Sequence, residues 1–198
     1  AAAAQVYAVE VDKKLIPVLE DTLSSYDNVK IINADIMKTD LREVTGGKAF
    51  RVIANLPYYI TTPIIMSVLE SESDCKSVTV MVQKEVGDRM TADPGSKDYG
   101  ALTLAVAYRA RASVVRRVPA GCFYPAPNVD SVVVHMEVYE EKPVRAKDEQ
   151  VLFTVIRGAF NQRRKTLVNA LSGYPGFDRS KEEILNAVEA IGEKPKVR

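Results

Sequence analysis

The chain reads as an α/β protein with a mostly parallel sheet, an antiparallel hairpin at one edge, and a small all-α domain after it. Three observations predict this. Over the first 140 residues, short apolar runs alternate with helical patterns, as when parallel strands are joined by crossover helices. The last two runs of that stretch are joined only by Phe123-Tyr124-Pro125-Ala126-Pro127, too short for a normal helix, so they include a hairpin. Composition then shifts near residue 142, where Lys142-Pro143-Val144-Arg145-Ala146-Lys147 reads as a linker. The expected domains are therefore residues 1–141 and 142–198.

Each element has its own signal. Val6–Val11 is a strand ending in Glu10 and Asp12, and a helix follows through Leu15, Val18, Leu19 and Leu23, with Pro17 tolerable in its first turn. Val29–Ile32 is a second strand, closed by Asn33-Ala34-Asp35, and Arg51–Ala54 is a third. Thr61–Leu69 is a helix opening with Pro63 in its first turn. Ser77–Val82 is a strand running into a helix over Lys84–Met90, and Asp93-Pro94-Gly95-Ser96 is a turn. Leu102–Tyr108 is helical; Ser113–Val118 and Ser131–Tyr139 are strands. Asp148 caps a helix on which Leu152, Ile156, Phe160, Leu167 and Leu171 recur near the helical period. A second helix, Lys181–Ile191, follows the turn Gly173-Tyr174-Pro175-Gly176.

Composition narrows the function classes. The 198 residues, 46% hydrophobic and 27% charged, suit a globular protein with one core, or one core and a small appendage. No apolar stretch approaches the roughly 20 residues needed to span a bilayer, and no basic-then-apolar leader opens the chain, so no membrane partner is expected. Cys75 and Cys122 stand far apart, which points to a reducing, cytoplasmic setting without a disulfide framework. A lone His135 without metal-ligand spacing argues against a metal site and reads as structural. The net charge of +1 hides an asymmetry: residues 1–100 carry 11 Lys+Arg against 15 Asp+Glu, residues 101–198 carry 16 against 11. A basic distal half suits a polyanionic partner, although the same scatter arises by chance on a solvated surface.

Asn55-Leu56-Pro57-Tyr58 carries the chemistry. It follows the third strand, and ligands in open α/β sheets bind at the carboxyl ends of strands. The lone pair of an adenine amino group is delocalised into the ring and is a poor nucleophile. A site can localise that lone pair by accepting both N–H hydrogens, one on the Asn55 carbonyl and one on a backbone carbonyl of Leu56-Pro57. Pro57 stiffens the loop so that its carbonyl points into the pocket, and Tyr58 stacks on the base. Asn and Pro are also good turn formers, so the tetrapeptide by itself reads equally as a strand-to-helix turn. Glu10, Asp35 and Asn55 at three consecutive strand ends would line one crevice, with Glu10 placed to take ribose hydroxyls and Asp35 an adenine amino group. Asp12 and Asp35, taken singly, each read as a helix cap.

Five ordered motifs resemble the rRNA adenine dimethyltransferases. Residues 55–63 (Asn-Leu-Pro-Tyr-Tyr-Ile-Thr-Thr-Pro) look like the catalytic motif of that family, and 80–90 (Val80 to Met90) like the segment that follows it. Tyr99-Gly100, residues 123–131 (Phe123 to Ser131) and residues 159–167 (Ala159 to Leu167) complete the likeness, which covers nearly the whole chain from Val6. The last two favour the bacterial KsgA branch, which acts on small-subunit rRNA, over the Erm-type enzymes of the large subunit. The resemblance implies a Rossmann-like class I methyltransferase domain, S-adenosylmethionine as methyl donor, no metal, and dimethylation of two adjacent adenines. It implies that Glu10 holds the donor's ribose and Asp35 its adenine, and that Asn55 touches donor and base. It also implies that Tyr58 and Phe123 clamp a base extruded from its stack. Arg163, Arg164 and Lys165, placed on the first helix of the distal domain, become phosphate contacts. So do Arg116 and Arg117, within a cluster with Arg109 and Arg111. The expected partner is the small ribosomal subunit and its rRNA, met by a monomer.

The chain departs from the family pattern in one respect. It has no glycine before Gly46 and opens on Ala1-Ala2-Ala3-Ala4, so the family's first strand and glycine-rich loop are expected to be missing, along with further helical residues after Arg198. An assembly factor that binds the immature small subunit without catalysis is the rival from another class. An Erm-type large-subunit methyltransferase is the rival enzyme. Half a donor pocket leads to a direct expectation. Calorimetry on the 198-residue chain should find weak or no S-adenosylmethionine binding, and ordinary micromolar binding would contradict it.

Overall fold

The computed structural model describes residues 3–71, 73–162 and 164–197. The chain divides into two compact units, residues 1–84 with 110–140, and residues 85–109 with 141–198.

The first unit opens on β1 (Val6–Glu10), α1 (Ile16–Thr22) and β2 (Val29–Asn33). The two strands pair in parallel, Val6 opposite Val29 and Glu10 opposite Asn33. A 3₁₀ turn (Ile36–Lys38) and α2 (Leu41–Thr45) follow, neither of them expected from the sequence. Each is started by an aspartate: Asp35 accepts from the Met37 N–H at 3.0 Å, and Asp40 from those of Arg42 and Glu43 at 2.8 and 3.2 Å. Gly46 ends α2 at φ 62°, a left-handed conformation that glycine adopts without steric cost.

β3 (Phe50–Asn55), α3 (Thr61–Glu70) and β4 (Cys75–Gln83) come next, and β5 (Ala110–Val118) and β6 (Ser131–Val138) complete a four-stranded sheet of order β3-β4-β6-β5. β3 and β4 are parallel; β6 runs antiparallel to both β4 and β5. The expected hairpin is therefore present, with β6 inside the sheet and β5 at its edge. Position in the sheet decides burial. Val78, Val80 and Val82 of β4 and Val132, Val134 and Met136 of β6 are at most 1% exposed, and Ile64, Ile65, Val68 and Leu69 of α3 are buried with them. β5 exposes Arg111, Arg116 and Arg117, and its register slips between Val114 and Arg116, leaving Val115 as a bulge. Charge and a bulge discourage a free edge from pairing with another chain.

The β1-α1-β2 piece differs. No described residue before Thr45 is buried, and Val11, Leu15 and Val18 are open to solvent. β1 pairs with β2 alone, and β3 with β4 alone.

The second unit is helical: α4 (Lys84–Met90), α5 (Ala101–Ala107), α6 (Glu149–Asn161), α7 (Leu167–Leu171) and α8 (Lys181–Ala190). Asp148 caps α6 as expected, accepting from the Gln150 and Val151 N–H groups at 2.8 and 3.1 Å. Edge-on aromatic pairs join the α5 region to α6, Tyr99 with Phe160 at 5.8 Å and Tyr108 with Phe153 at 5.4 Å. The single long helix expected through Leu171 is in fact two. Gln162 leaves helical geometry at φ −131° and ψ 73°, and Thr166 caps a new helix. The break turns Val168 and Leu171 onto Ile184 and Val188 of α8, giving this unit its own apolar core. No helix among the described residues is long and apolar enough to cross a membrane.

Burial sets the ranking of local stability. Amide exchange followed by mass spectrometry should show β1 and β2 exchanging far faster than β4 and β6, since an isolated two-stranded sheet is marginal in water; equal protection would contradict this. Gly158 is tightly enclosed: an added Cβ would sit 2.8 Å from Leu171 Cδ2 and 3.1 Å from the Tyr174 ring. Overpacking outweighs the gain in helix propensity there, so Gly158→Ala should destabilise by about 1 kcal/mol in urea unfolding. A stabilised variant would show that the site has slack.

Candidate active site

The carboxyl ends of β3 and β4 and the start of β6 lie at one edge of the four-stranded sheet, because β3 and β4 are parallel and β6 is antiparallel to β4. Two loops meet there: residues 56–60, leaving β3, and residues 119–130, entering β6.

Asn55 is the last residue of β3, opposite Met81. It is exposed, and its side-chain amide has no hydrogen-bond partner among the described residues. Pro57 leads into a 3₁₀ turn, Tyr58–Ile60. Its carbonyl accepts from the Ile60 N–H at 3.2 Å and from the Thr61 hydroxyl at 2.9 Å. That carbonyl is therefore turned back into its own loop, contrary to the expectation that it faces a pocket. The neighbouring acceptor in the segment is the carbonyl of Leu56.

Tyr58 is half-buried, and its hydroxyl lies 2.7 Å from Oγ of Ser131, which is fully buried at 0% exposure. The bond ties the ring to the first residue of β6. The second loop is held as firmly: the Asp130 carbonyl accepts from the Lys84 N–H at 2.9 Å, and its carboxylate from the Ala120 N–H at 2.9 Å. Phe123 sits half-buried in that loop. Asn55, Leu56, Pro57, Tyr58 and Phe123 are thus collected at one sheet edge. Ser131 and Thr61, which hold them, had no role in the sequence reading. Ser131 is 73 residues from Tyr58, and no local pattern connects the two.

Glu10 and Asp35 come together at the corresponding edge of the two-stranded sheet. Glu10 ends β1 and Asp35 lies two residues beyond its partner Asn33. One Glu10 oxygen accepts from the Asp12 N–H at 2.7 Å, and one Asp35 oxygen from the Met37 N–H. Each carboxylate keeps a second oxygen for a ligand, though that of Asp35 lies 3.9 Å from Lys38 Nζ. Since β1 does not pair with β3, strand pairing joins Glu10 to Asp35 but does not tie either to Asn55.

The basic residues sort by burial. Arg116 and Arg117 are exposed on β5, opposite Val133 and Val132. Arg111 is paired with Glu137, which holds that carboxyl below its usual range through the hydrogen bond and the charge of the guanidinium. Arg109 does not belong with them: it is 7% exposed, over the rings of Phe153 at 4.4 Å and Tyr108 at 5.4 Å, and 3.6 Å from Glu149. Glu149 also accepts from Lys142 and the Tyr108 hydroxyl, and the Lys142 bond leads in lowering its pKa. Arg164 and Lys165 are exposed in the turn between α6 and α7 rather than on a helix, and Arg163 lies outside the described residues. His135 Nδ1 is 2.8 Å from the Thr79 hydroxyl within the β4–β6 ladder, a structural position. Burial pushes the Cys75 thiol up to about 11, which removes it as a nucleophile. No cluster of metal-ligating side chains occurs among the described residues.

Known proteins resemble this chain in sequence and fold. Residues 1–196 match the family described as ribosomal RNA adenine dimethylase. A protein of Lachnoclostridium phytofermentans named ribosomal RNA small subunit methyltransferase A is 55% identical over 195 residues, 96% of this chain and 67% of that protein. One of the same name from Geobacillus thermodenitrificans is 48% identical over 202 residues, 99% of this chain and 69% of that protein. This chain therefore spans about two thirds of the length of these relatives. Among solved structures, a dimethyladenosine transferase from Plasmodium falciparum is similar with a TM-score of 0.74 at 27% identity, over 94% of this chain and 63% of that one. The 23S rRNA methyltransferase ErmE has a TM-score of 0.71 over 99% of this chain and 76% of its own, but at 22% identity it attests the fold alone. The expected Rossmann-like methyltransferase fold is borne out, and both of these relatives carry the small-subunit name. By sequence and by fold, the chain belongs to the ribosomal RNA adenine dimethylase family, in its small-subunit branch.

Proposed function

We propose that the activity to which this chain contributes is dimethylation of the N6 amino groups of two adjacent adenines in small-subunit rRNA during ribosome biogenesis, using S-adenosylmethionine. One observation carries the reading: Asn55 holds an unpartnered amide at a strand end, beside a tyrosine ring locked to β6 through Ser131. An exposed amide in a braced loop is a preorganised acceptor that need not give up a protein partner when a base arrives.

The residues divide the work by chemistry. Tyr58 and Phe123 hold the extruded adenine between them by stacking. The Asn55 side-chain carbonyl accepts one N6 hydrogen and the Leu56 carbonyl the other, which localises the nitrogen lone pair out of the ring plane. S-adenosylmethionine, when bound, supplies an electrophilic methyl group on a sulfonium. The N6–carbon bond forms as the carbon–sulfur bond breaks, and the nitrogen then releases a proton to solvent, so no general base is required. The second oxygens of Glu10 and Asp35 fit a ribose diol and an adenine amino group. Arg116, Arg117, Arg164 and Lys165 meet rRNA phosphates, which position the substrate without reading its sequence.

The decisive assay incubates full-length protein and labelled donor with unmethylated small and, separately, large subunits, followed by nucleoside analysis. Dimethyladenosine is expected in the small subunit alone, and its absence would refute the proposal. Asn55→Ala should keep subunit binding and lose at least about 100-fold in transfer rate, the usual cost of removing one preorganised polar group. Retained transfer would remove Asn55 from the mechanism.

A further inference from the structure

Two tyrosines at the same sheet edge are left in water. Tyr59 is 88% exposed and Tyr124 fully exposed. Neither ring packs on another ring, and neither hydroxyl has a hydrogen-bond partner among the described residues. Exposed loops usually turn such rings onto the surface, since covering them recovers apolar area. Here both rings stay in water on braced backbone. Tyr59 lies within the 3₁₀ turn closed by the Thr61–Pro57 bond and anchored one residue earlier by Tyr58 to Ser131. Tyr124 lies in a loop braced by Pro119, Pro125 and Pro127 and closed by the Asp130–Ala120 bond. Both rings are held outward beside the half-buried pair Tyr58 and Phe123, each one residue along the chain.

The surroundings say what they face. β5 reaches this edge at Val118, opposite Ser131, so exposed Arg116 and Arg117 stand near the end of the strand before the loop that presents Tyr124, on opposite faces of the sheet. Outward rings interleaved with unpaired guanidinium groups suit single-stranded nucleic acid, whose bases stack while its phosphates meet cations. We propose that Tyr59 and Tyr124 form a stacking shelf for the unpaired nucleotides that flank the target adenine, with Arg116 and Arg117 on the phosphates between them. This rests on the methyl-transfer reading of the site and adds to it: the inner aromatic pair takes the reacting base, and the outer pair takes its neighbours. The shelf costs little entropy on binding because the loops are already fixed.

The test uses full-length protein and a single-stranded RNA of about a dozen nucleotides with two central adenines, alongside the same RNA made abasic at the flanking positions. Affinity is read by fluorescence anisotropy at fixed salt. Tyr59→Ala and Tyr124→Ala should each weaken binding about tenfold, while Tyr59→Phe and Tyr124→Phe, which keep the ring, stay within about twofold of the wild type. The abasic RNA should weaken the wild type similarly and erase its advantage over the alanine variants. In the transfer assay the alanine variants should raise KM and leave kcat near its wild-type value. Alanine variants that bind both RNAs as the wild type does overturn the shelf. If Asn55→Ala still abolishes transfer in that case, the catalytic reading stands and only the shelf falls. Lost binding to whole subunits with unchanged binding to the oligonucleotide assigns the tyrosines to a protein contact and overturns the proposal. A wild type that neither binds the RNA nor transfers a methyl group overturns both readings.

Discussion

The pairing of β6 between β4 and β5 is the constraint on which the site depends. The antiparallel ladder sets Gln83 opposite Ser131, and the parallel ladder on the other side sets Asn55 opposite Met81. Together they bring one strand end and one strand start to a common edge, although the residues are far apart in the chain. The valines at alternate positions of β4 and β6 seal the ladder from water, and burial of that extent makes register costly to change. The Tyr58–Ser131 bond is a consequence: it exists only while the register holds. A one-residue slip would turn Ser131 to the other face and release the ring that the loop after β3 presents.

The two halves of the proposed site rest on unequal foundations. The base side is built on a core of buried strands with α3 packed on it. The carboxylate side, Glu10 and Asp35, is built on two strands and a helix without a buried residue. Its order comes from the β1–β2 ladder, from the Asn33 side chain on the Glu10 carbonyl at 2.9 Å, and from the short-range aspartate cap of the 3₁₀ turn. Short-range bonds of this kind hold a side chain's direction but contribute little to global stability.

Charge is sorted by the fold into two classes with different uses. Arg109 stacks on two rings and faces Glu149, so its charge is spent within the helical unit. Arg116 and Arg117 stay in water on an edge strand, where they also blunt the edge. In sequence these arginines sit within nine positions and look like one cluster. Burial, which a charge pattern does not report, separates them.

Much of the fold is legible in the sequence because it is written in short-range periodicity. Alternating apolar residues marked β4 and β6, Pro63 marked the first turn of α3, and Asp148 marked the start of α6. The spacing of Leu152, Ile156 and Phe160 marked α6 as well, but carrying the same period to Leu171 missed the break at Gln162, where packing of α7 on α8 overrides helical continuity. The site was legible as far as it is contiguous: Asn55 to Tyr58, and the strand-end carboxylates by their position after apolar runs. The sequence by itself determined which side chains could do this chemistry and which strand ends would carry them, since residue type and local period are properties of the chain. The assembled fold, by contrast, set Ser131 against Tyr58 and buried Arg109 while leaving Tyr59 and Tyr124 in water. Those outcomes depend on register and burial between segments distant in sequence, and such contacts leave no local signature.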